Sequence, residues 1–323
     1  MRNKFDNQTI LVTGGLGFIG SHLVHSLVQD AAEVHVLAKP KSDPWRLGDI
    51  AGKVRIHPCD ITDRSMVKAL VQEIRPKKLF HLASEVDVRR KAELVRSMYR
   101  VILDGTLNLL ESVQGTDLDC FIHAGTCEEY GNGPAPFQES QRENPVSPYS
   151  AAKVAATHLC ETVHKSYGVP IVMLRPFLTY GPGQMGWMLV PSMTEACLLG
   201  KSFRMMPGEQ TRDFIYVQDI VDGFLAAASN PSAIGQIINL SSGKETSIKE
   251  MATCILEVTQ SKVPLEFGAL SYRSNEIMRL VGSGEKARRI LGWEPKMDLK
   301  EGLRRTVAWY SDYLSCKVAS HAG

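Results

Sequence analysis

The feature that most restricts this chain is Thr13-Gly14-Gly15-Leu16-Gly17-Phe18-Ile19-Gly20. It follows a β-branched run at Thr9–Thr13 and leads into a helical period from Phe18 to Gln29, with Ile19, Leu23 and Leu27 on one face. Glycines at 14, 17 and 20, at a strand-to-helix junction, let the chain turn tightly, bring backbone N–H groups against a pyrophosphate and pack the helix closely on the sheet. The motif predicts a dinucleotide held by Gly14, Gly17, Phe18, Ile19 and Gly20.

The first half continues the alternation that this junction begins. Strands are expected at Thr9–Thr13, Glu33–Leu37, Val54–His57, Lys78–Leu82, Cys120–Ala124 and Ile171–Leu174, with helical periods between them at Phe18–Gln29, Met66–Ile74 and Val101–Val113. Strands alternating with helices imply right-handed crossovers and a parallel sheet. Beyond Pro176 the texture changes. Gly181-Pro182-Gly183-Gln184 is a turn-rich break, Gln236–Leu240 reads as a further strand, and Ser247 with Glu250 reads as a capping box opening a helix. The expected fold is α/β, a Rossmann-type doubly wound parallel sheet with a smaller C-terminal substrate-binding lobe. Its divisions are a dinucleotide-binding domain over 1–176 with returns at about 207–243, a lobe from 177–206 and 244–317, and a disordered tail at 318–323.

The 323 residues suffice for such a domain and lobe. A net charge of +2 without a basic stripe speaks against nucleic acid, and no apolar run approaches membrane-spanning length. The polar start, Met1 to Thr9, has no signal-peptide pattern. Seven cysteines stand singly at 59, 120, 127, 160, 197, 254 and 316, with no CxxC or Cys/His cluster. Reduced core thiols, no metal site and a cytoplasmic setting are expected.

An acid at the end of the second strand would hold the adenosine ribose of NAD. Here Ala38 stands in that place, followed by Lys39, Lys41 and Arg46, so NADP is slightly favoured over NAD. Asp60 and Ile61, after the third strand, are candidates to cap the adenine. Pro148-Tyr149-Ser150-Ala151-Ala152-Lys153 opens a helix that places Tyr149 and Lys153 one turn apart. A free phenol has a pKa of about 10, and a neighbouring ammonium is expected to lower it and hold Tyr149 anionic. The same lysine can bond the nicotinamide ribose. Such spacing also arises between ordinary helix residues; the N-terminal glycine motif is what makes it a redox pair.

With these residues in view the chain resembles the extended short-chain dehydrogenases/reductases of the NAD(P)-dependent sugar-nucleotide epimerase/dehydratase family. The matching segments are TGGLGFIG at 13–20, HLAS at 81–84, GTCEEYG at 125–131, SPYSAAK at 147–153, RPFLTYGPGQ at 175–184, GEQTRDFIYVQDIVDG at 208–223 and LGWEP at 291–295. The resemblance implies a nucleotide-diphosphate sugar as substrate and a homodimer built on two helices per subunit. It also implies dinucleotide contacts from Leu82 and Ala83, and a hydroxyl at Thr126 shared with Tyr149 and the sugar oxygen undergoing oxidation. Arg212 and Arg273 would grip the diphosphate, Glu276 a ribose hydroxyl, and Gln184 with Met185 the base; a surface ion pair of Arg212 with Asp213 or Glu209 is the alternative.

Glu128 after Cys127 resembles the nucleotide-sugar dehydratases and decarboxylases, and some 4-ketoreductases, more than the simple 4-epimerases. Oxidation at C4 acidifies the C5 proton, which Glu128 is placed to remove, while Cys127 supplies a proton to the departing C6 hydroxyl. The alternative is that Cys127 packs beneath the site and Glu128 orients water or substrate. Glu129 is expected to face solvent or cap a neighbouring turn. A dehydratase leads. A 4- or 3,5-type epimerase, a 4-ketoreductase and a decarboxylase follow, with a non-catalytic cofactor-sensing protein as a remote alternative. Two departures bear on the substrate: Leu178 and Ile102 stand where the family usually has asparagine.

Overall fold

In the computed structural model residues 4–321 are described. The chain runs β1 (Thr9–Thr13), α1 (Phe18–Gln29), β2 (Glu33–Ala38), β3 (Arg55–Pro58), α2 (Arg64–Ile74), β4 (Lys78–His81), α3 (Leu94–Met98), α4 (Gly105–Val113), β5 (Cys120–Ala124), α5 (Pro148–Tyr167) and β6 (Ile171–Pro176). Then follow β7 (Leu178–Tyr180), α6 (Leu189–Leu198), β8 (Phe203–Met205), β9 (Thr211–Arg212), β10 (Phe214–Tyr216), α7 (Val217–Ala228), β11 (Ile237–Leu240), β12 (Thr246–Ser247), α8 (Ile248–Thr259), β13 (Leu265–Phe267), β14 (Arg279–Leu280), α9 (Glu285–Leu291) and α10 (Leu299–His321).

Seven parallel strands form the main sheet in the order β11-β6-β5-β4-β1-β2-β3. The chain leaves β1 in one direction through β2 and β3 and returns through β4, so the order reverses between β1 and β4. Ligands of such sheets bind at the carboxyl ends of the strands flanking that reversal. Alternate strand residues face opposite layers. Ile10, Val12, Phe80 and Ile122 pack with Leu23 and Leu27 of α1 and Phe224 of α7. Leu11, Leu79, Phe121 and Ile171 pack with Val67 of α2, Leu109 of α4 and Cys160 of α5. A separate cluster gathers Val190 and Met193 of α6, Met251 and Ile255 of α8 and Leu303 of α10.

The expected strands all form, with ends moved by a residue or two. The helical period expected at Val101–Val113 is part of a longer feature: α3 passes through a π-helical turn, Tyr99–Asp104, into α4. Ser247 caps α8 as expected, accepting from Glu250 N at 3.0 Å while Glu250 bonds back to Ser247 N at 2.7 Å. The tail expected at 318–323 overlaps the last turn of α10, and 322–323 lie outside the described residues. Among the described residues no helix is long and apolar enough to cross a membrane.

Candidate active site

The glycine turn sits at the reversal point. Gly14 has φ +73°, and a Cβ there would stand 2.6 Å from Ala83 N and 2.7 Å from the Leu82 carbonyl carbon. A Cβ at Gly20 would overlap the Gly14 carbonyl oxygen, and one at Gly17 would lie 3.1 Å from it. Gly17 caps α1 without any side-chain bond, so the first-turn N–H groups point into a cradle with no competing acceptor from the cap residue. This shape fits a pyrophosphate. Phe18 and Ile19 are half-buried at the start of α1, and Leu82 and Ala83 half-buried across from it.

Beside the cradle a chain of hydrogen bonds joins β1, β4 and α4. Ala83 N–H donates to Thr13 Oγ1 (3.3 Å), which meets His81 Nδ1 (2.7 Å); His81 Nε2 meets Thr106 Oγ1 (2.9 Å), which donates to the Ile102 carbonyl (2.6 Å). Burial, aided by the charge of Lys153, lowers the pKa of His81 to about 3.

On the adenosine side, Ala38 ends β2 half-buried and Lys39 is exposed. Asp60 accepts from Thr62 N at 2.9 Å, a bond that keeps its carboxyl below the ordinary range, with Lys39 and Arg100 contributing. Ile61 is buried beneath Gly105, where a Cβ would come within 2.5 Å of its Cδ1. Arg46, grouped above with the cations after β2, is spent elsewhere: it donates to Gly183 O (3.0 Å) and Leu16 O (3.3 Å) and lies over the Trp45 ring.

Ser147 and Ser150 form a capping box with Pro148 in the first turn of α5, which brings Tyr149 and Lys153 against the end of β5. Both are buried. Tyr149 packs with Met98, Ile102, Ala152 and Ala156, so the apolar Ile102 serves as a wall of the tyrosine's pocket. The phenolate expected for Tyr149 is not its resting form: burial raises its pKa, as do Glu128, Cys127 and Glu129, while a hydrogen bond with Thr126 lowers it. Lys153 donates instead to the Ala124 carbonyl at 2.7 Å, and burial brings its ammonium down to about 8.

Thr126 caps a single 3₁₀ turn, Cys127–Glu129. Its Oγ1 accepts from Glu128 N (3.3 Å) and its N–H donates to Glu129 Oε1 (2.8 Å). Glu129 is fully buried, so its solvent-facing alternative is overturned and the capping one stands. It pairs with Arg175, whose Nε donates to Glu129 Oε2 at 2.9 Å and whose Nη2 reaches Glu143 at 2.5 Å. Gly125 makes this possible, since a Cβ there would come within 2.5 Å of Glu129 Oε1. Cys127 packs into the main core, and burial holds its thiol well above the ordinary range. That placement disfavours the proton-donor role and favours packing beneath the site.

Glu128 remains half-buried, facing the arginines. Burial raises its carboxyl, while Arg212, Arg90 and Arg273 act to lower it and Glu276 to raise it. Arg212 is buried and held by Thr211 O (2.8 Å), Ile277 O (2.7 Å) and Glu276 Oε1 (2.8 Å). The surface ion pair considered for Arg212 with Asp213 or Glu209 is not formed; Arg212 instead makes a buried pair with one oxygen of Glu276, the glutamate expected at the ribose. Asp213 is instead bound by Ser241, Ser242 and Gly243. Arg273 is exposed, 6.0 Å from the Trp187 ring. Gln184 is buried with its amide nitrogen on Thr179 O (3.0 Å), and its Oε1 has no partner; Met185 beside it is half-buried. Leu178 packs on the main core, with Leu178 N bonded to Asp213 O at 3.0 Å. Arg90 escaped the reading of the sequence because Arg89-Arg90-Lys91 looks like a solvated charge run.

A dinucleotide cradle at the sheet's reversal point, flanked by a threonine, a tyrosine and a lysine, defines the class. The family model described as GDP-mannose 4,6 dehydratase matches residues 11–306. The UDP-glucose 4-epimerase of Mycolicibacterium smegmatis is 31% identical over 93% of this chain and 97% of its own length. Human dTDP-D-glucose 4,6-dehydratase is 29% identical over 94% of this chain and 90% of its own. The structure of UDP-glucuronic acid 4-epimerase from Bacillus cereus, in complex with UDP-glucuronic acid and NAD, superposes with a TM-score of 0.86 at 28% identity, covering 94% of this chain and 99% of that one. The chain belongs to the NAD-dependent sugar-nucleotide epimerase/dehydratase family.

Proposed function

We propose that this protein remodels a nucleotide-diphosphate sugar through transient oxidation at C4 and acts as a dehydratase, with Glu128 as the base at C5. The observation that carries this reading is a half-buried carboxylate, raised by burial, two residues beyond the Thr126 that shares a hydrogen bond with Tyr149. A nicotinamide dinucleotide, when bound, supplies the acceptor for the C4 hydride and later its donor. The residues suited to hold it are Gly14, Gly17, Phe18, Ile19, Gly20, Lys39, Asp60, Ile61, Leu82, Ala83 and Lys153. NADP is the finer choice, supported by Ala38 and the exposed Lys39.

Tyr149, in the phenolate form that Lys153 and a bound, positively charged nicotinamide would favour, takes the C4 hydroxyl proton, and Thr126 aligns that hydroxyl. Lys153, a buried cation on the same helical face, opposes the burial that keeps the phenol protonated. Glu128 then takes the C5 proton, the C5–H electron pair forms the C5–C6 double bond, and the C6 hydroxyl departs. Its proton comes back from Glu128, so one water leaves and the carboxylate is restored, and return of the hydride to C4 and of the Tyr149 proton to the C4 oxygen would close the cycle. Arg212 and Arg273 bind the diphosphate, with Glu276 and Gln184 toward the nucleoside. A homodimer is the assembly expected, supported by Val95 and Leu107 standing exposed on the α3–α4 stretch.

A 4-epimerase is the second reading, favoured by the similarity to the M. smegmatis epimerase. Mass spectrometry of products from a panel of UDP-, dTDP-, GDP- and CDP-hexoses separates the two, because only dehydration loses a water. Glu128→Gln is expected to block exchange of the C5 proton with deuterated solvent while sparing oxidation at C4. Persistent exchange would remove Glu128 as the base.

A further inference from the structure

Arg90 lies in the connection between β4 and α3. Its Nη2 donates to the Asn275 carbonyl at 2.8 Å, whereas Nε and Nη1 are buried with no acceptor. Three N–H donors, one on Nε and two on Nη1, thus sit on buried atoms with no acceptor, besides the second hydrogen of Nη2. Buried donors are nearly always satisfied, and an unmatched one is costly. The neighbouring guanidiniums contrast with it: Arg89 is bound by Asp87 and Arg212 by Glu276. Among the described residues no carboxylate pairs with Arg90.

Its surroundings tie it to the candidate site. Asn275, with φ +57°, lies in the turn closed by Glu276 N–H on Arg273 O at 3.1 Å. Arg90 is therefore fastened to the turn that carries Arg273 and Glu276, and its charge acts on Glu128. Arg90 and Asn275 also line an open cleft of 740 Å³ together with Tyr99, Ser147 and Pro148, beside the start of α5.

We propose that Arg90 is a third anion-binding residue of this site and takes diphosphate oxygens of the nucleotide sugar on its unmatched N–H edge. Sugar hydroxyls would satisfy the donors but not the charge, and a guanidinium fork suits phosphate oxygens. Arg212 already has Glu276 as counter-ion, whereas Arg90 carries a charge with buried N–H groups that no carboxylate among the described residues meets. The inference rests on the nucleotide-sugar reading above. The other anionic source of the same chemistry is a carboxylate at C6 of a uronic sugar.

The test is calorimetric titration of the holoenzyme with UDP, dTDP, GDP and CDP, followed by the tightest binder against Arg90→Ala. The expected result is about 10- to 100-fold weaker binding, unchanged dinucleotide affinity, and a larger change in KM for the sugar nucleotide than in kcat. Arg90→Lys keeps the charge without the fork and should fall between; it replaces the alanine variant should that one fail to fold. Unchanged nucleoside-diphosphate affinity overturns the proposal. So does a loss seen with UDP-glucuronic acid but not with UDP, which would assign the edge to a carboxylate. A wild-type chain that binds none of the four diphosphates removes the function reading itself, and Arg90's role with it.

Discussion

At the scale of single residues, the site depends on charges held in unfavourable places. Glu128 is the clearest case. Its carboxyl is raised by burial, so its ionised form, needed for a base, is reached only above the ordinary glutamate range. Turnover should show an acid limb displaced upward accordingly, read from kcat against pH. The sign for stability is opposite. A folded-state pKa raised above the unfolded one gives stabilisation that is complete below the unfolded pKa and is lost as pH rises through the folded one. Glu128→Gln should therefore match the wild type in acid and become the more stable protein toward neutral pH, as measured by urea unfolding at several pH values. Glu129, one residue on, shows what the sequence hides. Two adjacent glutamates look alike in a string, yet one faces the arginines of the site and the other is walled in against Arg175, 46 residues away. Only Gly125, which leaves room for that carboxylate, hinted at the difference. Arg90 was masked in the same way by the charged residues on either side.

Among the elements, legibility followed periodicity. The central strands are short, nearly continuous apolar runs buried on both faces, the long helices repeat apolar residues every third or fourth position, and both patterns stood out in the chain. The π-helical turn at Tyr99–Asp104 has no such signature, because its wider turn is set by what packs on it: Ile102 leans on Tyr149 in the same apolar cluster. That contact explains why an apolar residue is suited to 102. Cap chemistry was equally readable, since Ser247 and Glu250 bond reciprocally as their spacing implied. Ser247→Ala should cost about 1 kcal/mol, seen as a lowered urea midpoint with unchanged slope. A midpoint equal to the wild type would mean that the packing of Met251 and Ile255 alone holds α8 in place. The pairing of Arg212 with Glu276 was beyond reach, because it depends on β9 and β14 lying side by side, a register that no local pattern encodes.

For the molecule as a whole, the sheet order follows from the strand–helix alternation and the glycine turn, and the site then has one place to be. Val95 and Leu107 stand exposed on the α3–α4 face. If it meets a second copy, sedimentation velocity should give about twice the 35.7 kDa chain mass, and Leu107→Lys should shift the protein toward monomer while dinucleotide binding persists. The bonds running from Ala83 through Thr13, His81 and Thr106 to Ile102 have one further consequence. Thr106 spends its hydrogen on Ile102 and so must receive from the ring at Nε2. The ring's other nitrogen must then receive from Thr13, whose remaining lone pair takes the Ala83 amide. Every hydrogen in the row has one owner and one direction. The imidazole of His81 is consequently locked as a single tautomer, its Nε2–H committed to Thr106 and its Nδ1 to the hydrogen of Thr13.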